Sequence, residues 1–281
     1  MKRISRQGGF ILRNLTSGAC KLNIIVCVKQ VPGTSNVEVD PVTGVLKRDG
    51  TSVKLNPFDL YALETAFRIR EEAGGSITAL SMGPGQAAGS LLEAVYMGAD
   101  RGVLLSDRLF AGADVQATSY VLKCGVEKIG DFDLIVCGKQ TTDGDTAQVG
   151  PELAEQLGIE HAAGVVSVDS VDEGSITVTL DLDSALQTQR MKLPCLITVG
   201  KDIFTPRLPS FRRRFETPSD AVTTYTAADL GGIDPSRCGL KGSPTQVERI
   251  FPPETRGERE FYDGDDPAGR LFSILAEGRY L

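Results

Sequence analysis

Apolar and polar positions alternate in blocks along the chain, and from Leu22 the blocks take on a regular rhythm. LNIIVCV opens it as a continuous apolar run, the mark of a strand buried on both faces. A polar loop through Pro32, Gly33 and Pro41 follows, with room for a small hairpin. Asn56-Pro57 then opens a helix on which Leu60, Leu63 and Phe67 share a face, and Pro57 suits a first turn whose amide would have no partner. Ser76 to Met82 returns as a strand, and Gly83-Pro84-Gly85 leads into a helix carrying Leu91, Leu92, Val95 and Met97. Gly102 to Leu105 is a third strand, Val115 to Lys128 a helix capped by Asp114, and Leu134 to Cys137 a fourth strand. Val149, Leu153 and Leu157 mark the next helix. This alternation predicts an α/β fold, a doubly wound parallel sheet with helices on both faces.

After Leu157 the period changes. Val165 to Val168, Ile176 to Leu182 and Gln187 to Leu193 read as antiparallel neighbours, an inserted meander, before Cys195 to Val199 supplies a last buried strand. Beyond Lys201 proline and charge increase and too little apolar surface remains for a second core, so the expectation is an extended C-terminal arm. The organisation expected is a basic extension over 1–21, an α/β domain over 22–200 and an arm over 201–281. The extension carries Lys2, Arg3, Arg6, Arg13 and Lys21 with no acid. It reads as a flexible tail or an over-long start ahead of an organelle presequence.

Composition removes several classes of function. A net charge of -7 and the absence of Trp argue against nucleic-acid binding. No apolar run approaches the roughly twenty residues that span a bilayer, so a cytoplasmic protein without membrane insertion is expected. Cys20, Cys27, Cys124, Cys137, Cys195 and Cys238 form no CxxC pair, so reduced core thiols are expected rather than a zinc or iron-sulfur centre. His161 has no acid at a telling spacing and reads as a surface or cap residue.

The strongest chemical signal is the loop Gly138 to Gly150, between the fourth strand and the next helix. Free amides at such a helix start attract anions, and ligands of doubly wound folds lie at this sheet edge. Gly138, Gly144 and Gly150 permit close backbone approach; Gln140, Gln148, Thr141, Thr142 and Thr146 offer polar contacts. Asp143 and Asp145 would repel a phosphate, so they are expected to cap the helix or accept from ribose hydroxyls. An ordinary polar turn is the plain alternative. Gly83 to Gly89 is a poor match to the dinucleotide fingerprint, its third glycine coming one residue late. Arg212 to Arg214, between Phe211 and Phe215, suit either an acidic partner or a solvated loop.

Several ordered motifs resemble the β subunit of the electron transfer flavoproteins: VCVKQVP at Val26 to Pro32, LNPFDLYALETA at Leu55 to Ala66, SMGPGQA at Ser81 to Ala87, MGADRGVLLSD at Met97 to Asp107, and CGKQTTDGDTAQVGPELAEQLG at Cys137 to Gly158. The resemblance implies a Rossmann-like fold of the adenine nucleotide alpha hydrolase-like type and a heterodimer whose α subunit carries its own FAD. It places nucleotide contacts at Cys27, Asn56, Pro57, Phe58, Asp59, Met82, Gly138, Lys139, Gln140, Thr141, Thr142, Asp143, Gly144, Asp145, Thr146, Ala147, Gln148 and Val149. The arm would wrap the α subunit, and Phe211, Arg212, Arg213 and Arg214 would meet a partner dehydrogenase of acyl-CoA or 2-hydroxy-acid type. DGDTAQVGP at Asp143 to Pro151 and LKGSPTQV at Leu240 to Val247 are similar to the bifurcating branch, which holds FAD in this subunit. That branch takes electrons from NADH and divides them between ferredoxin or flavodoxin and the dehydrogenase. Alternatives are an AMP-binding structural subunit and a stand-alone nucleotide-binding protein of the universal stress type.

Overall fold

A computed structural model describes residues 21–33, 53–182, 184–248, 261–262 and 264–280. The basic extension up to Cys20 and the part of the expected hairpin around Pro41 lie outside the described residues. In chain order the elements are β1 (Leu22–Cys27), β2 (Gln30–Pro32), β3 (Val53–Leu55), α1 (Pro57–Ala73), β4 (Gly75–Met82), α2 (Ala88–Met97), β5 (Arg101–Leu105) and α3 (Val115–Ile129). They continue with β6 (Leu134–Gly138), α4 (Val149–Leu157), β7 (Glu160–Asp172), β8 (Ser175–Asp181), β9 (Leu186–Lys192), β10 (Cys195–Val199), α5 (Phe211–Glu216), β11 (Val222–Tyr225) and α6 (Pro267–Glu277).

Nine strands form one sheet in the order β11-β5-β4-β1-β6-β10-β7-β8-β9. From β11 to β7 every pairing is parallel; β8 and β9 extend the sheet by antiparallel pairing. The doubly wound fold with a meander is therefore as the sequence predicts, with β10 slotted between β6 and the meander. β2 and β3 pair separately as a two-stranded ladder.

The period-2 pattern of β1 divides the core. Ile24 and Val26 face a layer with Leu63 and Phe67 of α1 and Leu91 of α2. Ile25 faces the opposite layer with Val121 of α3 and Leu153 of α4. Burying side chains of this size contributes roughly 1.5–3 kcal/mol each. Because α1 and α2 cover one face and α3 and α4 the other, the winding direction reverses between β1 and β6. That reversal is the topological switch point, where the carboxyl ends of the two strands leave a crevice.

Past residue 200 the chain still adds to this compact unit, which runs to Glu248. β11 pairs with β5 at the sheet edge, and Leu230 and Cys238 are buried in the α3–α4 layer. His161 lies on β7 opposite Leu196, exposed and in extended strand rather than at a helix cap. A second unit includes residues 249–281; its described part holds α6, capped by the Asp266 carboxylate, which accepts from the Gly269 amide at 2.9 Å. Leu271, Phe272 and Ile274 are exposed on α6. Among the described residues no helix is long and apolar enough to cross a membrane.

Candidate functional site

Cys27 ends β1 and is paired in register with Cys137 of β6, so the chain leaves both strands side by side at the switch point. Asn56 precedes Pro57 at the start of α1 and is fully buried. Its Nδ2 donates to the Gln140 carbonyl at 2.9 Å and to Asp59 Oδ1 at 2.9 Å, while its Oδ1 accepts from the Thr142 amide at 3.3 Å. Asn56 thus spends its amide on tying α1 to the loop after β6 and caps no helix amide.

Asp59, 4% exposed, completes the bridge. Its Oδ2 accepts from the Lys29 amide at 2.7 Å, and the Gly138 amide also donates to the carboxyl. Burial pushes this carboxyl up from the ordinary 3.8 to about 7, against the pull of the Asn56, Lys29 and Gly138 donors. Gly138 must be glycine: a Cβ there would strike Asp59 Oδ1 and lie 2.8 Å from the Phe58 carbonyl carbon. Phe58 and Pro57 are half-buried beside it.

The loop beyond Gly138 is a polar turn of unusual backbone. Thr141 accepts from the Gly144 amide through Oγ1 at 3.3 Å and from the Asp145 amide through its carbonyl at 3.1 Å. Asp145 and Ala147 both take positive φ, 52° and 55°, which costs a non-glycine residue roughly 1–2 kcal/mol each. Lys139, Thr142 and Asp143 to Thr146 are exposed, as is Gln148. Among the described residues no side chain caps the first turn of α4, which begins at Val149 behind Gln148. Gly150 lets α4 press on β10; a Cβ there would come to 2.5 Å from Thr198 Cγ2.

Both acids of this loop are engaged within the protein. Asp143 is ion-paired to Lys29 Nζ at 2.7 Å, and Asp145 accepts from Gln140 Nε2, so neither caps α4. The pair with Lys29 holds the Asp143 carboxyl below its usual range, despite the opposing effect of burial. Lys29 therefore neutralises one acid of the loop and supports Asp59 with its amide, a role sequence reasoning missed. Its place inside the quoted VCVKQVP motif was the available signal. Met82 ends β4 on the same sheet edge, half-buried. The Gly83 amide is used by the Leu105 carbonyl, and a 3-10 turn over Gly85–Ala87 precedes α2. That segment accordingly does not form a fingerprint loop opening directly onto a helix.

At the far side of α2, Phe211 to Arg214 form a short helix rather than a loop, capped by Ser210 Oγ accepting from the Arg213 amide at 3.3 Å. The arginines separate: Arg212 pairs with Glu216 at 2.7 Å, while Arg213 donates to the Ala99 carbonyl at 2.9 Å and so fastens α5 to the domain. Arg214 lines a groove of about 300 Å³ with Glu93, Tyr96 and Phe211. Phe211 is 74% exposed and packs edge-on to Phe215, centroids 4.9 Å apart.

The chemistry such a crevice offers is anion and nucleotide binding. An uncapped helix start, a glycine at the closest approach and a backbone bent through two positive φ angles all fit a phosphate-bearing ligand. These features define a doubly wound α/β protein with a polar crevice at its switch point. The electron transfer flavoprotein domain pattern matches residues 43–230. The electron transfer flavoprotein subunit beta of Clostridium acetobutylicum is 40% identical over 262 residues, covering 92% of this chain and 100% of that protein. Protein FixA of Azorhizobium caulinodans is 43% identical over 244 residues, 85% and 87% of the two chains. Subunit CarD of the caffeyl-CoA reductase-Etf complex of Acetobacterium woodii is 40% identical over 260 residues, 91% and 98% of the two. The chain belongs to the electron transfer flavoprotein family, as a β-type subunit, which implies an α subunit and a dehydrogenase as partners. The stand-alone stress-type reading falls with that membership.

Proposed function

We propose that the chain binds FAD in the switch-point crevice and serves a bifurcating electron transfer flavoprotein. One observation carries the reading: Asn56 and Asp59 draw the ends of β1 and β6 and the loop 138–149 into a single crevice whose helix start is left uncapped. In it, Cys27, Asn56 to Asp59 and Met82 line the adenine side, and Gly138 to Val149 hold the phosphates through backbone amides. The exposed Thr142 to Thr146 stretch and the small residues Gly83, Gly85 and Ala147 leave room for a dinucleotide to continue outward. When bound, the flavin supplies acceptance of an electron pair from NADH and its release one electron at a time. The protein positions that cofactor and tunes it, since among the described residues no side chain at the crevice is arranged for acid-base catalysis.

The low-potential electron is assigned to ferredoxin or flavodoxin and the other, through the α-subunit FAD, to the dehydrogenase. The CarD relative is named for a complex with a CoA-linked reductase, which favours an acyl-CoA dehydrogenase over a 2-hydroxy-acid type. Residues 201–281 are read as the arm toward the α subunit, with Phe211, Arg212 and Arg214 offered to the dehydrogenase and Arg213 holding their helix in place. Residues 22–200 are read as the nucleotide domain, 1–21 as an extension, and the protein as cytoplasmic. Extraction of nucleotide from the purified heterodimer tests the reading. Two FAD per dimer supports it; one FAD with one AMP makes this subunit a structural AMP holder instead.

A further inference from the structure

We propose that Cys27 and Cys137 are a reversible dithiol–disulfide pair at the floor of the switch-point crevice, closed by a hydroperoxide. The electron-transfer role above uses Cys27 as part of the crevice wall and gives neither thiol any chemistry. Three observations set them apart from the other cysteines.

The first is register. Cys27 and Cys137 stand directly opposite on adjacent parallel strands, with both side chains turned to the α3–α4 layer. Neighbouring strands lie about 4.8 Å apart, inside the roughly 4.4–6.8 Å between Cα atoms that a disulfide spans. The second is contact. The two thiols act on one another, and Cys27, with burial, holds the Cys137 thiol above its usual range. The third is asymmetry of access. Cys27 is half-buried, whereas Cys124, Cys137, Cys195 and Cys238 are buried, so among the described cysteines an oxidant reaches Cys27 first.

The chemistry balances with hydrogen peroxide as the oxidant. The Cys27 sulfur attacks one peroxide oxygen, an S–O bond forms, the O–O bond breaks and one water leaves. The Cys137 sulfur then attacks the Cys27 sulfur. The S–S bond forms, the S–O bond breaks, and hydroxide leaves with the Cys137 proton as a second water. Two thiols are oxidised by two electrons and one peroxide is reduced. A link between directly opposed strand positions is strained, which places it with the readily reduced disulfides. It joins the chain one residue before Gly138 and two before Lys29, the residues whose amides grip Asp59. Closing the pair therefore acts on the crevice itself. The further expectation that bound FAD shields Cys27 rests on the function proposed above.

The test uses the full chain in its heterodimer, exposed to equimolar hydrogen peroxide, blocked with N-ethylmaleimide in denaturant and digested with trypsin without reduction. The expected product is peptide 22–29 linked to peptide 129–139, with two of the six thiols lost and regained on adding dithiothreitol. The Cys137→Ser variant should retain a sulfenic acid at Cys27 that dimedone captures. If that variant fails to fold, the wild-type peptide map decides alone. Both thiols still alkylated, Cys27 carried to sulfinic acid with Cys137 free, or a Cys124–Cys238 link in place of the expected one would each overturn the proposal. In preparations shown by extraction to hold FAD in this subunit, linkage should slow at least about fivefold. An unchanged rate there removes the pair from the crevice floor. A subunit without FAD that still forms the link upholds the dithiol while ending the FAD reading.

Discussion

Asn56 donates through Nδ2 to the backbone carbonyl of Gln140, 2.9 Å away and 84 residues along the chain. With the Asn56 bonds to Asp59 and Thr142, this one buried side chain ties the start of α1 to the loop after β6. Replacement by leucine would leave the Gln140 carbonyl and one Asp59 oxygen short of a partner. Each such orphan costs about 1–3 kcal/mol, so Asn56→Leu should lose roughly 2–6 kcal/mol in urea unfolding. Bound nucleotide should fall further than helix content. A variant that keeps wild-type stability and nucleotide would separate Asn56 from the site.

Asp59 gives the crevice a pH dependence whose sign is fixed. Its folded value, about 7, lies above the ordinary 3.8 because burial disfavours the charge. The folded state therefore binds the proton more tightly than the unfolded chain. The stabilisation is fully present below pH 3.8, declines as pH rises toward 7 and is gone above it. A shift of about three units corresponds to an upper value on the order of 4 kcal/mol. Asp59→Asn removes the titration, so the stability of wild type relative to this variant should shrink between pH 4 and pH 8. A difference that stays constant over that range means the carboxyl remains ionised, its three N–H donors having outweighed burial.

Glycine positions in the same loop should divide by geometry. At Gly144 an added Cβ meets only Thr141 Oγ1, at 3.5 Å, so alanine should leave folding and nucleotide content unchanged. At Gly138 the added atom strikes the Asp59 carboxyl and the Phe58 backbone, so alanine should cost roughly 1–3 kcal/mol. It should also release nucleotide. Leucine at Gly144 fills the crevice without touching the core, and nucleotide should be lost there with thermal stability kept. If Gly144→Leu retains its nucleotide, the ligand does not pass this loop.

The parts of this fold legible in the sequence are those whose patterns are local. The apolar runs of β1, β6 and β10 and the period-2 meander need no partner to be recognised, and they fix the sheet and its switch point. β11 is different. Val222-Thr223-Thr224-Tyr225 has little apolar signal, and it is a strand because the β5 edge offers it a ladder. Leu230 and Cys238 likewise enter the core through turns that propensity does not foresee. At the site, glycines and the helix start were readable from spacing. The fates of Lys29, Asp143 and Arg213 were not, because each is set by a partner more than a hundred residues away.

Glu64 and Arg207 anchor the segment that carries Phe211. Glu64, its side chain 1% exposed, accepts from Arg207 Nε at 2.8 Å and from Arg68 Nε at 2.8 Å, and Arg207 also reaches Glu71 at 2.8 Å. Arg207 lies 4.7 Å above the Phe67 ring, which closes the network against the core. The arginines hold the Glu64 carboxyl below its usual range although burial opposes them, so its contribution is present above the unfolded value near 4.5 and is lost as pH falls through the folded one. Removing Arg207 leaves the buried Glu64 carboxylate with Arg68 as its remaining ion-pair partner, at a cost of roughly 1–3 kcal/mol. Arg207→Ala should accordingly lower the melting temperature, whereas Glu64→Gln, which leaves no buried charge, should cost less. Loosened from α1, residues 203–216 should become open to trypsin at Arg212 to Arg214 in Arg207→Ala before the sheet unfolds. Equal cleavage rates in wild type and Arg207→Ala would mean that Ser210 and Arg213 hold the segment without this network.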